Sequence, residues 1–407
     1  MAKSNGDQPK LYKLRNIRIA YGLNFILGLQ FTWAIWLLYY LEFFDYASVG
    51  IILGVMTAIS ILMEVPSGAL ADLVGKKYAL MLAFALLSIG ELLMSQISDF
   101  NGALIAIIFI AIGNSMISGT IEAFAYDSLK ENSLDKYYDR FVSRKGALSS
   151  IAYAIATVVG GLMYMHNIRL PMQATSFTRF VGFILLFWAV EPKVDTLKFS
   201  MRNFIRQNAK GLKVLFSTDL RKLSVLLLLI STFNILIWMS FDDALMVSYG
   251  HSGKMLGILY SGAAVIAAVV SYQYEKIRRR IGALWIFVIT AVITFATLLM
   301  SVWAGIILGS LLMLGRMTFW ELQSNALSEV LNEKTPSKVR ATTLSTFNLL
   351  TSIPLLGLAY IAGVGMDRIG IQHTLLITII VFSPLIILAL YNYMRPLRSR
   401  KVSTVEG

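Results

Sequence analysis

The stretch Gly68-Ala69-Leu70-Ala71-Asp72-Leu73-Val74-Gly75-Lys76-Lys77 lies between two long apolar runs and decides the fold. It places two glycines, two lysines and one acid in a single short connection. Glycine lets the backbone turn tightly, and adjacent lysines resist translocation through a membrane. The stretch therefore predicts a short cytoplasmic loop between two membrane helices.

The composition independently indicates a membrane protein. Hydrophobic residues make up 57% of the chain and charged residues only 14%. The surface of a soluble domain needs roughly a quarter of charged residues, so most of this surface must be covered by lipid. The chain has no cysteine, which excludes disulfides, thiolate metal sites and cysteine nucleophiles.

Apolar stretches long enough to cross a bilayer recur from Ile19 to the C-terminus. A span needs about 20 apolar residues, and the long uncharged run that begins at Ile281 is divided near Trp303 and Gly305. We predict twelve spans, at 19–41, 46–65, 78–98, 103–126, 146–166, 171–190, 223–248, 255–274, 281–301, 304–328, 341–365 and 372–393.

The positions of lysine and arginine predict the orientation. Most of the 36 basic residues fall in the N-terminus, the loops after even-numbered spans and the C-terminal tail, whereas the opposite loops hold only Arg169, Lys254 and Arg368. The positive-inside rule places both termini in the cytoplasm. The net charge of +13 is then spread over segments that face anionic lipid, and a nucleic-acid partner is not predicted.

The chain divides into two similar halves. Residues 191–222 form a long basic stretch that we interpret as a cytoplasmic linker, part of it an amphipathic surface helix. Gly315-Arg316 follows Gly113-Asn114 by the same number of residues as segment 329–333 follows segment 127–131. This repeat makes the fourth and tenth predicted spans counterparts in the two halves. The predicted domains are an N-terminal bundle at 1–190, the linker at 191–222 and a C-terminal bundle with a basic tail at 223–407.

The loop 68–77 resembles the signature G-x-L-A-D-R-x-G-[RK]-[RK] of the major facilitator superfamily (MFS), with Leu73 where the family usually carries a base. The resemblance implies an all-α polytopic membrane protein with twelve transmembrane helices in two pseudo-symmetric six-helix bundles. Segments 64–68 and 122–129 resemble a bacterial group close to the drug exporters. The fifth span departs from drug–proton antiporters, because it lacks their Gly-Pro pattern.

The fourth predicted span carries Asn114, Ser118 and Glu122 at intervals of four residues, which places them on one face of a helix. In the superfamily the first, fourth, seventh and tenth helices line the cavity. Partial burial raises the pKa of a carboxyl, so Glu122 is the first candidate for a coupling carboxylate. The alternative is a structural ion pair.

The tenth predicted span carries Arg316 and Trp320 at the same interval, with Glu321 beside them. As its span is the counterpart of the fourth, we expect Arg316 either to approach Glu122 or to share a substrate with it. Arg316 would then hold an anionic group or lower the pKa of a neighbouring carboxylate.

The seventh span offers Asn234, Trp238 and Asp242 at intervals of four, and the first offers Gln30 and Trp33. The aromatic side chains would contact a lipophilic or cationic ligand, or else pack in the ordinary way. Asp242, with Asp243 after it, lies near the outer end of its span, where an acid in an outer gate is one interpretation.

Two further sets of residues are predicted to be structural or conformational. Glu91 and Arg179 fall at similar depths in the third and sixth spans, and we hypothesise an ion pair between them. The superfamily implies a latch in which Asp72 faces the start of the eleventh helix near Arg340, supported by the helix dipole. Other latch residues are Gly68, Gly75, Lys76, Lys77 and Glu64.

These patterns predict a secondary active transporter in the cytoplasmic membrane of a prokaryote, acting as a monomer on a small-molecule substrate. Proton-coupled export of lipophilic or cationic compounds is the first hypothesis. An importer or exporter of a nutrient or metabolite, or a lipid flippase, would have the same features, and a channel would not need the latch. A membrane enzyme would need a reactive constellation, and H-E-x-x-H and G-x-S-x-G are both absent. No cofactor, metal or catalytic residue is predicted.

Overall fold

The computed structural model describes residues 11–193 and 201–395. This part of the chain is all-helical. Its first half contains α1 (Arg15–Gly28), α2 (Trp36–Leu41), α3 (Tyr46–Val74), α4 (Lys76–Ser95), α5 (Phe100–Ile117), α6 (Thr120–Glu131), α7 (Tyr138–His166) and α8 (Leu170–Leu185). Then follow α9 (Met201–Leu215), α10 (Arg221–Leu236), α11 (Asp242–Ser248), α12 (Gly253–Tyr272), α13 (Tyr274–Ile281), α14 (Ala283–Ser301), α15 (Ile306–Lys334), α16 (Arg340–Ser352), α17 (Leu355–Ile369) and α18 (Ile371–Met394).

Ten helical segments in the described residues are long and apolar enough to cross a membrane. They correspond to ten of the twelve predicted spans, and the two that fall short are the first and the tenth. The predicted span 19–41 is interrupted, because α1 ends at Gly28 and α2 begins only at Trp36. The predicted span 304–328 is a continuous helix, α15, whose Arg316 and Glu321 lower its mean hydropathy.

The interruption between α1 and α2 is held by side chains of α8. Arg179 donates through Nη1 to the carbonyl of Ile26 and through Nη2 to that of Leu27, at 3.2 Å in the second case. Thr175 Oγ1 accepts from the backbone N–H of Phe31 at 3.1 Å. Backbone groups freed by a break at membrane depth need such partners, so α8 makes the interruption possible.

The junction between α3 and α4 is the loop from which the fold was inferred. Gly75 adopts φ of +94°, a conformation that other residues rarely reach. Glu191 accepts hydrogen bonds from the backbone N–H groups of Lys76 and Lys77, at 2.8 and 2.7 Å. A carboxylate at the first turn of α4 also interacts favourably with the helix dipole. Both the hydrogen bonds and this electrostatic interaction therefore stabilise the turn.

The two ends of the molecule differ. At the end that we call the closed end, which carries Tyr46, Gly253 and Asp367, α3 packs against α17 and α7 against α12. Asp367 accepts hydrogen bonds from the backbone N–H groups of Tyr46 and Ala47. The opposite end, which we call the basic end, carries the loop 72–77 and α13.

Part of the predicted linker is helical. Helix α9 packs against α16, and Thr346 Oγ1 donates to Asn208 Oδ1 at 3.0 Å. The remainder of the linker at 194–200, together with 1–10 and the tail at 396–407, lies outside the described residues.

Candidate functional site

A cavity of about 680 Å³ lies between the two halves and extends towards the basic end. Its walls come from the end of α1, from α7 and α12, and from α10 and α15. Small residues on α12, Ala263, Ala264, Ala267 and Ala268, form one wall. We call this space the central cavity.

Four aromatic side chains line the central cavity: Trp33, Tyr153, Trp238 and Trp320. Trp238 is the middle of the group, with its ring centroid 6.0 Å from that of Trp33 and 6.0 Å from that of Trp320. The Trp238 and Trp320 planes are 24° apart. Aromatic faces of this kind attract cations and planar ligands.

Arg316 and Asp242 form a buried ion pair in the same wall. Arg316 Nε donates to Asp242 Oδ1 at 2.7 Å, and Nη1 donates to Ser301 Oγ at 2.9 Å. Arg316 Nη2 is buried and has no hydrogen-bond partner among the described residues. The sequence suggested Glu122 as the acid that approaches Arg316, and it assigned Asp242 to the outer end of its span.

An amide pair adds further polarity. Asn234 donates through Nδ2 to Gln323 Oε1, and Gln323 Nε2 donates to the carbonyl of Phe287 at 3.2 Å. Asn234 Oδ1 is buried, and within the part of the chain that the structure describes it has no hydrogen-bond partner. Since both residues line the central cavity, they offer hydrogen-bonding capacity to a bound molecule.

A second space of about 360 Å³ lies beyond the first, and we call it the inner chamber. Trp33 and Trp238 line both spaces and so form the partition between them. The predicted residues Gln30 and Asn114 line the inner chamber, not the central cavity. Asp243 also lines it, and its carboxylate accepts hydrogen bonds from Trp36 Nε1, at 2.7 Å, and from the Tyr260 hydroxyl.

Glu122 lines neither space. It forms an ion pair with Lys145 of α7 and is partly exposed. The expected uninterrupted stripe of Asn114, Ser118 and Glu122 does not exist, because α5 ends at Ile117 and Gly119 adopts φ of +75° before α6 begins. The turn rotates Glu122 off the face that Asn114 occupies.

Glu91 and Arg179 interact electrostatically, but not through the close ion pair that we expected. Both residues are buried, but the Arg179 guanidinium donates its hydrogen bonds to carbonyls of α1. No ion pair within 4.0 Å joins the two in residues 11–193. Sequence spacing could not reveal this, since the carbonyls became available only through the break in the first span.

The predicted latch residues lie at the basic end. Lys76 forms a buried ion pair with Asp127 of α6. Glu64 accepts a hydrogen bond from Ser345 of α16 at 2.7 Å, which joins the two halves. Asp72 is exposed, as are Gly68 and Arg340, and no hydrogen bond or ion pair of Asp72 occurs within the described ranges.

Several residues of the site were missed from the sequence: Tyr153, Gln323, Tyr260, Lys145 and Glu191. The first three are ordinary components of apolar helices, and no periodic pattern distinguishes them. Lys145 and Glu191 were visible as charges near predicted helix ends, which is the signal that would have identified them.

The profile of the Major Facilitator Superfamily matches residues 19–357. An uncharacterized MFS-type transporter of Methanocaldococcus jannaschii is 20% identical over 259 residues, covering 62% of this chain and 65% of its own length. The uncharacterized MFS-type transporter YxaM of Bacillus subtilis is 24% identical over 262 residues, covering 60% and 62%. The alignments thus span less than two thirds of each relative.

Solved structures agree in fold. The nucleoside transporter NupG has a TM-score of 0.77 at 13% identity, covering 95% of this chain and 100% of its own. A bacterial homologue of the human lysosomal transporter Spinster has a TM-score of 0.68 at 15% identity, covering 95% and 97%. With the family profile matched over most of its length, this chain belongs to the major facilitator superfamily.

Proposed function

We propose that this protein is a proton-coupled secondary transporter that exports small lipophilic or cationic compounds by alternating access. The observation that carries the proposal is the central cavity itself, where an aromatic group surrounds a buried acid–base pair. Aromatic faces bind flat or cationic molecules, and nearby acids favour positive charge.

The charge of the lining supports a cationic preference. Asp242 and Glu321 line the central cavity, and Glu91 and Asp243 line the inner chamber. Arg316 is the one basic residue among the described residues that line either space. Acids therefore outnumber bases around the path, and an anionic substrate would meet net repulsion.

The Asp242–Arg316 pair is the proposed proton-coupling element. A proton that adds to the Asp242 carboxylate removes the negative charge facing Arg316, and the guanidinium is then free to turn away. A cationic substrate competes for the same carboxylate. Substrate and proton would thus exclude one another, which is the requirement for exchange.

The wider architecture follows the superfamily. We propose twelve membrane helices in two bundles, at 1–190 and 223–407, joined by the linker 191–222 in a monomer of a prokaryotic cytoplasmic membrane. The basic end would face the cytoplasm, since lysine and arginine favour that side. Among residues 11–193 and 201–395, Asp72 has no hydrogen bond or ion pair while the closed end is sealed, which is consistent with a latch that forms when the basic end closes.

A second candidate function is the transport of a neutral heterocyclic metabolite. The partnerless Asn234 Oδ1 beside aromatic rings supports it, because a nucleoside-like molecule combines a flat ring with hydrogen-bond donors. The likeness to NupG, a nucleoside transporter, is one of fold, so it adds only weak support.

The test is export of ethidium from cells that express the protein, with and without a protonophore. We expect protonophore-sensitive export that Asp242→Asn abolishes and Glu122→Gln retains, since only Asp242 lines the cavity. Uptake of labelled uridine, tested in the same cells, addresses the second candidate. Ethidium export unaffected by Asp242→Asn would contradict the coupling role, and uridine uptake without ethidium export would favour the metabolite transporter.

A further inference from the structure

The inner chamber has a lining suited to hydrophobic ligands of varied shape. Four methionines, Met56, Met94, Met172 and Met239, surround it, together with Trp36 and Tyr40. Methionine is flexible and polarizable, and surfaces rich in it adapt to different molecules. The volume of about 360 Å³ is within the range of small-molecule sites.

Glu91 provides an unmatched acid in this apolar lining. Glu91 is 6% exposed and lines the inner chamber. In the part of the chain that the structure describes, its carboxylate has no hydrogen bond, and no cation lies within 4.0 Å. The nearest candidate, Arg179, is held by the carbonyls of Ile26 and Leu27.

The other acid of the chamber differs from Glu91. Asp243 already accepts hydrogen bonds from Trp36 and Tyr260, so its oxygens are satisfied by the protein. Arg179 acts on Glu91 only at longer range, so a positively charged ligand could supply the close ion pair that the protein does not. Glu91 thus identifies where the charge of a ligand would sit.

We propose that the inner chamber is a second binding site, separate from the central cavity, that takes a hydrophobic organic cation with Glu91 as its counter-ion. The class of ligand rests on the proposed function, but the location does not. Trp33 and Trp238 separate the two spaces, so one molecule occupies each at the same time.

Isothermal titration of the purified full-length protein in detergent tests this site, with phenyltrimethylammonium as the probe and tert-butylbenzene as its uncharged isostere. We expect two cations per chain. Glu91→Gln should weaken one of the two sites at least tenfold while leaving tert-butylbenzene binding unchanged. Glu321→Gln is the matched control, because this acid lines only the central cavity, and it should leave the chamber site intact.

Three more variants keep the proposal testable if Glu91→Gln folds poorly. Met56→Trp adds bulk to the chamber while retaining the acid, and it should also reduce two sites to one. Of the two spaces, Trp36 lines the inner chamber and Trp320 the central cavity. Binding of the cation should also quench tryptophan fluorescence, and Trp36→Phe should reduce the quenching by the chamber site whereas Trp320→Phe should not.

The outcomes separate this proposal from the previous one. One site in the wild type, or two sites that survive both Glu91→Gln and Met56→Trp, would overturn the chamber site even if cells export ethidium. Two sites with the expected losses, in a protein that exports nothing, would support the chamber and contradict the export function.

Discussion

Arg316 Nε lies 2.7 Å from Asp242 Oδ1, and both residues are buried beside the central cavity. The pair joins α15 to the start of α11, which follows a π-helical turn at Ile237–Phe241. The structural role of this pair and its proposed coupling role can be separated by substitution.

Neutralising one member of this pair should destabilise the protein. Asp242→Asn or Arg316→Gln alone leaves the other member of the pair buried without its partner. We expect the free energy of unfolding to decrease by about 3–5 kcal/mol. The double variant Asp242→Asn/Arg316→Gln should recover most of the thermal stability in detergent but none of the transport. Recovery of transport in the double variant would show that the charges are only structural.

The carboxylate of Glu191 should stabilise the first turn of α4. Glu191→Gln loses a charge at the helix N-terminus and weakens two hydrogen bonds, so we expect a decrease of about 1–2 kcal/mol in the free energy of unfolding. Thermal denaturation measures it. Glu131→Gln, an exposed acid of the same end, is the control and should change little.

The seal at the closed end should be sensitive to single methyl groups. A Cβ on Gly161 would meet the backbone of Gly253, so Gly161→Ala should push α7 away from α12 and favour opening of this end. Gly262→Ala is the control, because a Cβ there meets nothing within 4 Å. The chain has no native cysteine, so distances between single introduced cysteines on α7 and α12 can be measured by spin labelling. Equal distance distributions in the two variants would contradict this account of the seal.

His251 should make the stability fall on acidification. Burial at the closed end lowers the pKa of His251, whose Nε2 lies 2.8 Å from Ser310 Oγ. The unfolded chain then binds a proton more readily than the folded one. Stability from this residue is therefore present above the ordinary histidine pKa of about 6.5 and is lost as the pH falls below it.

The measurement is the melting temperature at pH 8 and pH 5 for the wild type, His251→Gln and His373→Gln. The melting temperature of the wild type should be lower at pH 5 than at pH 8. His373 is exposed, so His373→Gln should show the same decrease, whereas His251→Gln should show a smaller one. An identical decrease in all three proteins would exclude His251 as the cause.

The sequence predicted the helical membrane fold and the superfamily because these depend on local signals. Runs of apolar residues set the spans, and the glycine and lysines at Gly75-Lys76-Lys77 set the turn that the structure contains. The side-chain partners expected from the sequence differ more often from those in the structure. Arg316 lines the central cavity, but its partner Asp242 lies on α11, which follows the π-helical turn at Ile237–Phe241 and not a regular continuation of α10.

Glu122 and Arg179 illustrate the same limit. Helical periodicity assumes an unbroken helix, and the left-handed Gly119 interrupts the one that carries Glu122. Arg179 found its partners in carbonyls that an intact first helix would have kept for itself. Charged side chains were recognised, but what each one contacts was decided by backbone irregularities that carry no strong sequence signal.

The interruption between α1 and α2 has a consequence for motion. Its freed carbonyls depend on Arg179 and Thr178 of α8, and neither lipid nor a distant helix can replace these donors. Separating α8 from the end of α1 would strand those groups in an apolar medium, so the two helices must travel together as one rigid body. We therefore expect displacement at contacts between the two halves, among them those between α3 and α17 and between α7 and α12.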